Sequence, residues 1–317
     1  MRAYKLKKCK RVHGLHFAPD GTRLLAVGGA EVRMVDSAVW LDLATGENTG
    51  RIDQFANCYA VDPGLTRYAL GGANHWNRAL ASVQWAALDG PGGWHGLSAT
   101  RGVPPSFRDV SGLAFDPVGE RLAVGHTRPA RWRGPREVIH QISVVRIGAV
   151  DERTDMSTSE PAGVIVFDAA GTRLATTGGV DGDTTARVFD LDVGQQALTF
   201  YPPGTVTRSV QLLPDGRLLV ANGRSVYALP RTGGDPLYTL SDHPKQVNAV
   251  TLTPDGRRIL TASHDGSIRT WDATTGEPGP AFDWQIGPVT AVAFAPDGLT
   301  CAAAGLNGKV VVWDVDG

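Results

Sequence analysis

A chain of 317 residues, 42% of them hydrophobic, is long and apolar enough to bury a large core. Its formal net charge of −1 gives no bulk attraction to nucleic acid or membranes. No stretch approaches the roughly 20 apolar residues of a membrane helix, and the basic N-terminus lacks a signal peptide's apolar run.

Taken in chain order, seven similar units follow one another. Each contains a turn closed by a glycine: Gly21, Gly64, Gly119, Gly171, Gly216, Gly256 and Gly298. An apolar residue usually precedes the turn, as at Phe17, Val61, Phe115, Phe167, Leu213, Leu252 and Phe294. A second apolar run follows, as in Arg23–Val27 and Arg121–Val124. The glycine accepts a positive φ, and short apolar runs between turns suit strands buried on both faces. No segment shows a sustained helical period with caps. A single four-stranded sheet cannot bury its own faces, so the units must pack on one another.

The unit is clearest at Val247–Gly276, with turns at Pro254-Asp255-Gly256 and Asp265-Gly266, and again from Val289 to Asp314. Through Trp271-Asp272 and Trp313-Asp314 it resembles the WD40 repeat. Weaker forms stand at Leu41-Asp42 and Phe189-Asp190. The resemblance implies an all-β, seven-bladed β-propeller of four-stranded antiparallel blades, filling residues 1–317 as one domain. Blades are expected at about 12–56, 57–106, 107–159, 160–204, 205–244, 245–286, and 287–317 plus 1–11. The last copy has only three strands, so the N-terminal segment Ala3–Cys9 is expected to pair with Val310–Trp313 and close the ring.

His243, Thr261, Asp265 and Trp271 could be mistaken for a nucleophile, a base and an orienting acid. The family resemblance instead implies a buried hydrogen-bond network that locks blade 6. Gln285, Ala303 and Asn307 replace three of these residues in blade 7, so only blade 6 should have the full set. The eight histidines show no ligand spacing with Cys or carboxylates, and Asp151–Asp155 reads as a solvated turn rather than a calcium loop. Cys9, Cys58 and Cys301 read as free thiols in a reducing cytoplasm. No cofactor or metal is expected, and the Arg-over-Lys bias points to a bacterial source.

The irregular connections carry the functional signal. Blade 3 inserts residues between its second and third strands, within Thr127–Glu137, and brings Arg128, Arg131, Trp132, Arg133 and Arg136. Blades 1, 2 and 4 lengthen the same connection at Glu31–Ser37, Asn74–Arg78 and Asp181–Thr184. His75, Trp76 and Arg78, with Arg101 and Arg108 in the link between blades 2 and 3, are expected on the same face. Guanidinium and indole groups suit carboxylates, phosphates and aromatic partners. The expected function is a non-enzymatic, monomeric scaffold for a protein or peptide, bound on the loop-rich face over blades 1–4. Alternatives are a small-ligand binder or enzyme using the central channel, and local nucleic-acid binding through the Arg-rich loop.

Overall fold

In the computed structural model, the described residues are 1–6, 9, 11–29, 37–52, 56, 58–73, 81–88, 95–96, 108–129, 138–178, 184–204 and 206–315. The fold is all-β: seven four-stranded antiparallel blades of a β-propeller, with no helix among the described residues. Two compact units divide the chain. Met1–Phe55 with Pro202–Gly317 holds blades 1, 5, 6 and 7, and Ala56–Tyr201 holds blades 2, 3 and 4.

The N-terminal strand supplies the fourth strand of blade 7. It runs Arg2–Lys5, with Arg2 opposite Val312 and Lys5 opposite Lys309. Tyr4 and Arg2 also reach blade 1, where both donate to the Leu43 carbonyl, at 2.8 and 2.9 Å.

Each blade's first hairpin turns on a residue with positive φ. In blades 3 and 4 this is Gly119 (φ 74°) and Gly171 (φ 69°). In blade 2 it is Leu65 (φ 49°), not Gly64. The cause is the acid that organises the turn. Asp62, Asp116 and Asp168 each accept backbone N–H groups four and five residues on, so the left-handed position falls three residues after the Asp whatever residue stands there.

Polar pins join consecutive blades within each unit. The first strand carries a β-bulge, which turns one side chain sideways. Asn248 donates to Val289 O at 2.7 Å, and Thr290 donates to Val12 O at 2.6 Å. Ser111 donates to Ala162 O at 2.5 Å. The residue after Ser111 is Gly112, where a Cβ would lie 2.0 Å from Gly163 O. At the opposite end of the sheets, arginines bridge to the next turn. Arg67 donates to Gly119 O and Arg121 to Gly171 O, both at 2.6 Å. Their guanidiniums also lie over the Phe115 and Phe167 rings, at 5.9 and 5.7 Å.

Candidate functional site

Blade 3 differs from its neighbours in the length of its central hairpin. Strand Arg121–Pro129 pairs with Val138–Arg146 over nine registered positions, from Arg121↔Arg146 to Pro129↔Val138. The corresponding hairpin of blade 6 has five, from Arg258↔Asp272 to Ala262↔Ile268. Blades 1 and 2 have six and seven, and blades 4, 5 and 7 have five. Gly125 corresponds to Ala262, so blade 3 continues four pairs further. At about 3.3 Å per residue, the strands project roughly 13 Å beyond the usual hairpin end.

This changes the expected loop. Thr127, Arg128 and Pro129 are strand residues, opposite His140, Ile139 and Val138, so the insertion is partly a β-arm. Arg108, expected in the interblade link, is instead the first residue of strand Arg108–Phe115 and pairs with Thr127. The backbone thus sets Arg108 and Arg128 on neighbouring strands, one register position apart. Arg131, Trp132, Arg133, Arg136, His75, Trp76, Arg78 and Arg101 lie outside the described residues, as does most of the expected extension in blades 1, 2 and 4.

The base of the arm is tied by a polar cluster that the sequence reading missed. His126 Nε2 lies 2.8 Å from Ser143 Oγ, and Ser143 donates to Asp155 Oδ1 at 2.5 Å. Thr127 Oγ1 lies 3.0 Å from His140 Nδ1. His126 and Ser143 are buried. Asp155 belongs to the outer strand Ala149–Thr158, which corrects the reading of Asp151–Asp155 as a turn. With both sides largely exposed, that strand lacks the apolar alternation by which strands are recognised.

In blade 6, His243, Thr261, Asp265 and Trp271 come together. His243 Nδ1 lies 3.0 Å from Asp265 Oδ2, and its Nε2 lies 2.8 Å from Thr261 Oγ1. Trp271 donates its indole N–H to Thr261 Oγ1 at 2.9 Å. Burial lowers the His243 pKa, and the nearby Asp265 opposes this only in part. A neutral imidazole fits: Nδ1–H donates to Asp265, and Nε2 accepts the Thr261 hydroxyl. Burial also works against the Asp265 charge, but hydrogen bonds from Ser267, His243 and Ser263 outweigh it and hold its pKa low. Thr261 and Ser143 are at 0% and 1% exposure, so neither hydroxyl can meet a substrate. Both sets therefore act as locks.

Blade 7 has half of this arrangement. Asn307 Oδ1 accepts the Lys309 N–H at 3.0 Å, as Asp265 accepts that of Ser267 at 2.6 Å. Ala303 has no hydroxyl, and the buried Trp313 Nε1 has no hydrogen-bond partner among the described residues. Trp313 packs instead on Phe282 and Trp284, with ring centroids 5.6 and 5.9 Å away. Burial pushes the Cys58 thiol up to about 12, and no group of three or more His, Cys, Asp or Glu gathers as a metal site among the described residues.

The sequence profile of the WD domain, G-beta repeat family matches residues 234–272 and 283–314, which cover the strands of blade 6 up to the Trp271-Asp272 pair and the first three strands of blade 7. Two WD40 repeats are thus matched in sequence, and the sevenfold array of four-stranded antiparallel blades is that of a β-propeller. These matches coincide with the complete WD40 lock and its partial copy. Curated relatives are matched only in part. A U3 small nucleolar RNA-associated protein 15 homolog from Bos taurus is 33% identical over 104 residues, 32% of this chain and 20% of that protein. WD repeat-containing protein 1 from Gallus gallus is 39% identical over 93 residues, 28% of this chain and 15% of that protein. Pre-mRNA-processing factor 19 homolog 2 from Arabidopsis thaliana is 34% identical over 108 residues, 32% of this chain and 20% of that protein. The matched part of this chain thus spans a fifth or less of these relatives.

Proposed function

We propose that this chain is a non-enzymatic scaffold that binds a protein or peptide through the extended hairpins of its first blades, above all the arm of blade 3. The observation that carries the reading is the nine-position pairing of Arg121–Pro129 with Val138–Arg146, against five in blade 6. A two-stranded stem with a buried polar base costs little further ordering when a partner binds. Arg128, Arg131, Trp132, Arg133 and Arg136 are the proposed contacts at its end, with His75, Trp76, Arg78, Arg101 and Arg108 beside them. Indole and guanidinium groups are the side chains most enriched in binding hot spots. A monomer in a reducing cytoplasm is the proposed setting, in which Cys9, Cys58 and Cys301 stay as thiols.

The test compares proteins captured by wild type and by an Arg131→Ala/Trp132→Ala variant, quantified by mass spectrometry. Selective loss of one or a few partners is expected. An unchanged partner list would remove the arm from the function.

A further inference from the structure

At the end of blade 3 away from the arm, a groove of about 500 Å³ runs between this blade and the last turn of blade 4. Its lining includes Val144 and Leu191, with Thr154 beside them, and the exposed Val193 adjoins it in sequence. Three arginines and three carboxylates also line it. Arg121 is held by Asp116 at 2.9 Å and by Gly171 O. Arg153 is held by Asp155 at 3.2 Å. Both are therefore neutralised by acids outside the lining. Arg146 alone serves two lining acids, Glu120 at 3.7 Å and Glu152 at 3.2 Å, and all three side chains are more than half exposed. Asp192 pairs with no cation among the described residues. The groove thus presents three carboxylates against the single guanidinium of Arg146, the other two being taken by acids outside the lining.

The geometry points to this groove as a second docking surface, one that takes a lysine or arginine side chain from a basic segment of a partner protein. The aliphatic stem of such a residue would lie on Val144, Leu191 and Thr154, and its cationic head would meet Glu120, Glu152 and Asp192. The exposed Glu120–Arg146–Glu152 pairs are weak enough to exchange with an incoming cation. This site is separate from the arm, so its fate does not depend on the arm's.

The test uses the full chain and fluorescein-labelled hexalysine and hexaglutamate peptides, followed by polarisation at low ionic strength. Hexalysine should bind, and Glu120→Gln/Glu152→Gln/Asp192→Asn should weaken it about tenfold. A charge-matched control, Glu160→Gln/Asp235→Asn/Glu277→Gln, should weaken it less than about twofold. Thr154→Arg, which puts the chain's own cation in the groove, should also block binding. Equal losses in the two triple variants, tighter binding of hexaglutamate, or no binding of hexalysine would each overturn the proposal.

Discussion

Trp271 donates its indole N–H to Thr261 Oγ1 in blade 6, at 2.9 Å. The same hydroxyl meets His243 Nε2, so one small side chain satisfies two buried partners. Thr261→Val keeps the shape and removes both bonds. We expect a loss of about 2–3 kcal/mol, because two polar groups are left buried and unpaired. Urea denaturation monitored by tryptophan fluorescence checks this; a loss under about 0.5 kcal/mol would mean the network does not lock the blade.

The reverse change applies to blade 7. Ala303 holds the place of Thr261, and Trp313 Nε1 is buried with no acceptor among the described residues. Ala303→Ser should supply one and stabilise the protein by about 0.5–1 kcal/mol. The same denaturation series would show a higher midpoint with an unchanged slope; a lower midpoint would mean the aromatic packing leaves no room for the hydroxyl.

Stability should fall as the solution is acidified. Burial depresses His16 from 6.5 to about 4, and His243 is also held below 6.5. The unfolded chain therefore binds more protons below pH 6.5. This contribution is fully present above 6.5 and is lost as pH falls toward about 4 for His16. Asp265, held below 3.8, adds a further loss at still lower pH. Melting curves across this range should show a fall that His16→Asn makes shallower; an unchanged slope in that variant would contradict the assignment.

Gly112 packs against the first strand of blade 4. Gly112→Ala places a methyl group 2.0 Å from Gly163 O, which forces the blades apart. We expect a loss of about 3 kcal/mol, measured as a lower urea midpoint. Gly21→Ala, which has nothing within 4 Å of its Cβ, should cost less, and only through its φ of 69°.

The repeat, its turns and the closing strand were legible because each turn needs a special residue and each inner strand a dense apolar run. Blade 2 shows the limit of that signal. Gly64 looked like the turn glycine, yet the Asp62 carboxylate fixes the left-handed position at Leu65. Outer strands were less visible. Glu152–Asp155 is exposed and has no apolar pattern, although Ser143 donates to Asp155. The arm resembles a loop in sequence for a related reason. Its buried base uses His126, Gln141 and Ser143, whose polarity resembles loop composition, although His126 and Ser143 bond each other.

On the proposed reading, the end of the blade 3 hairpin serves binding and is not needed for folding. Replacing residues 127–140 with an Asn-Gly turn would shorten it to six pairs, as in blade 1, and keep His126 beside Ser143; one affinity purification with quantitative mass spectrometry would report the outcome. The account predicts a cooperatively folded protein that has lost the partners captured by wild type. A folded, shortened protein that captures the full wild-type set would contradict it.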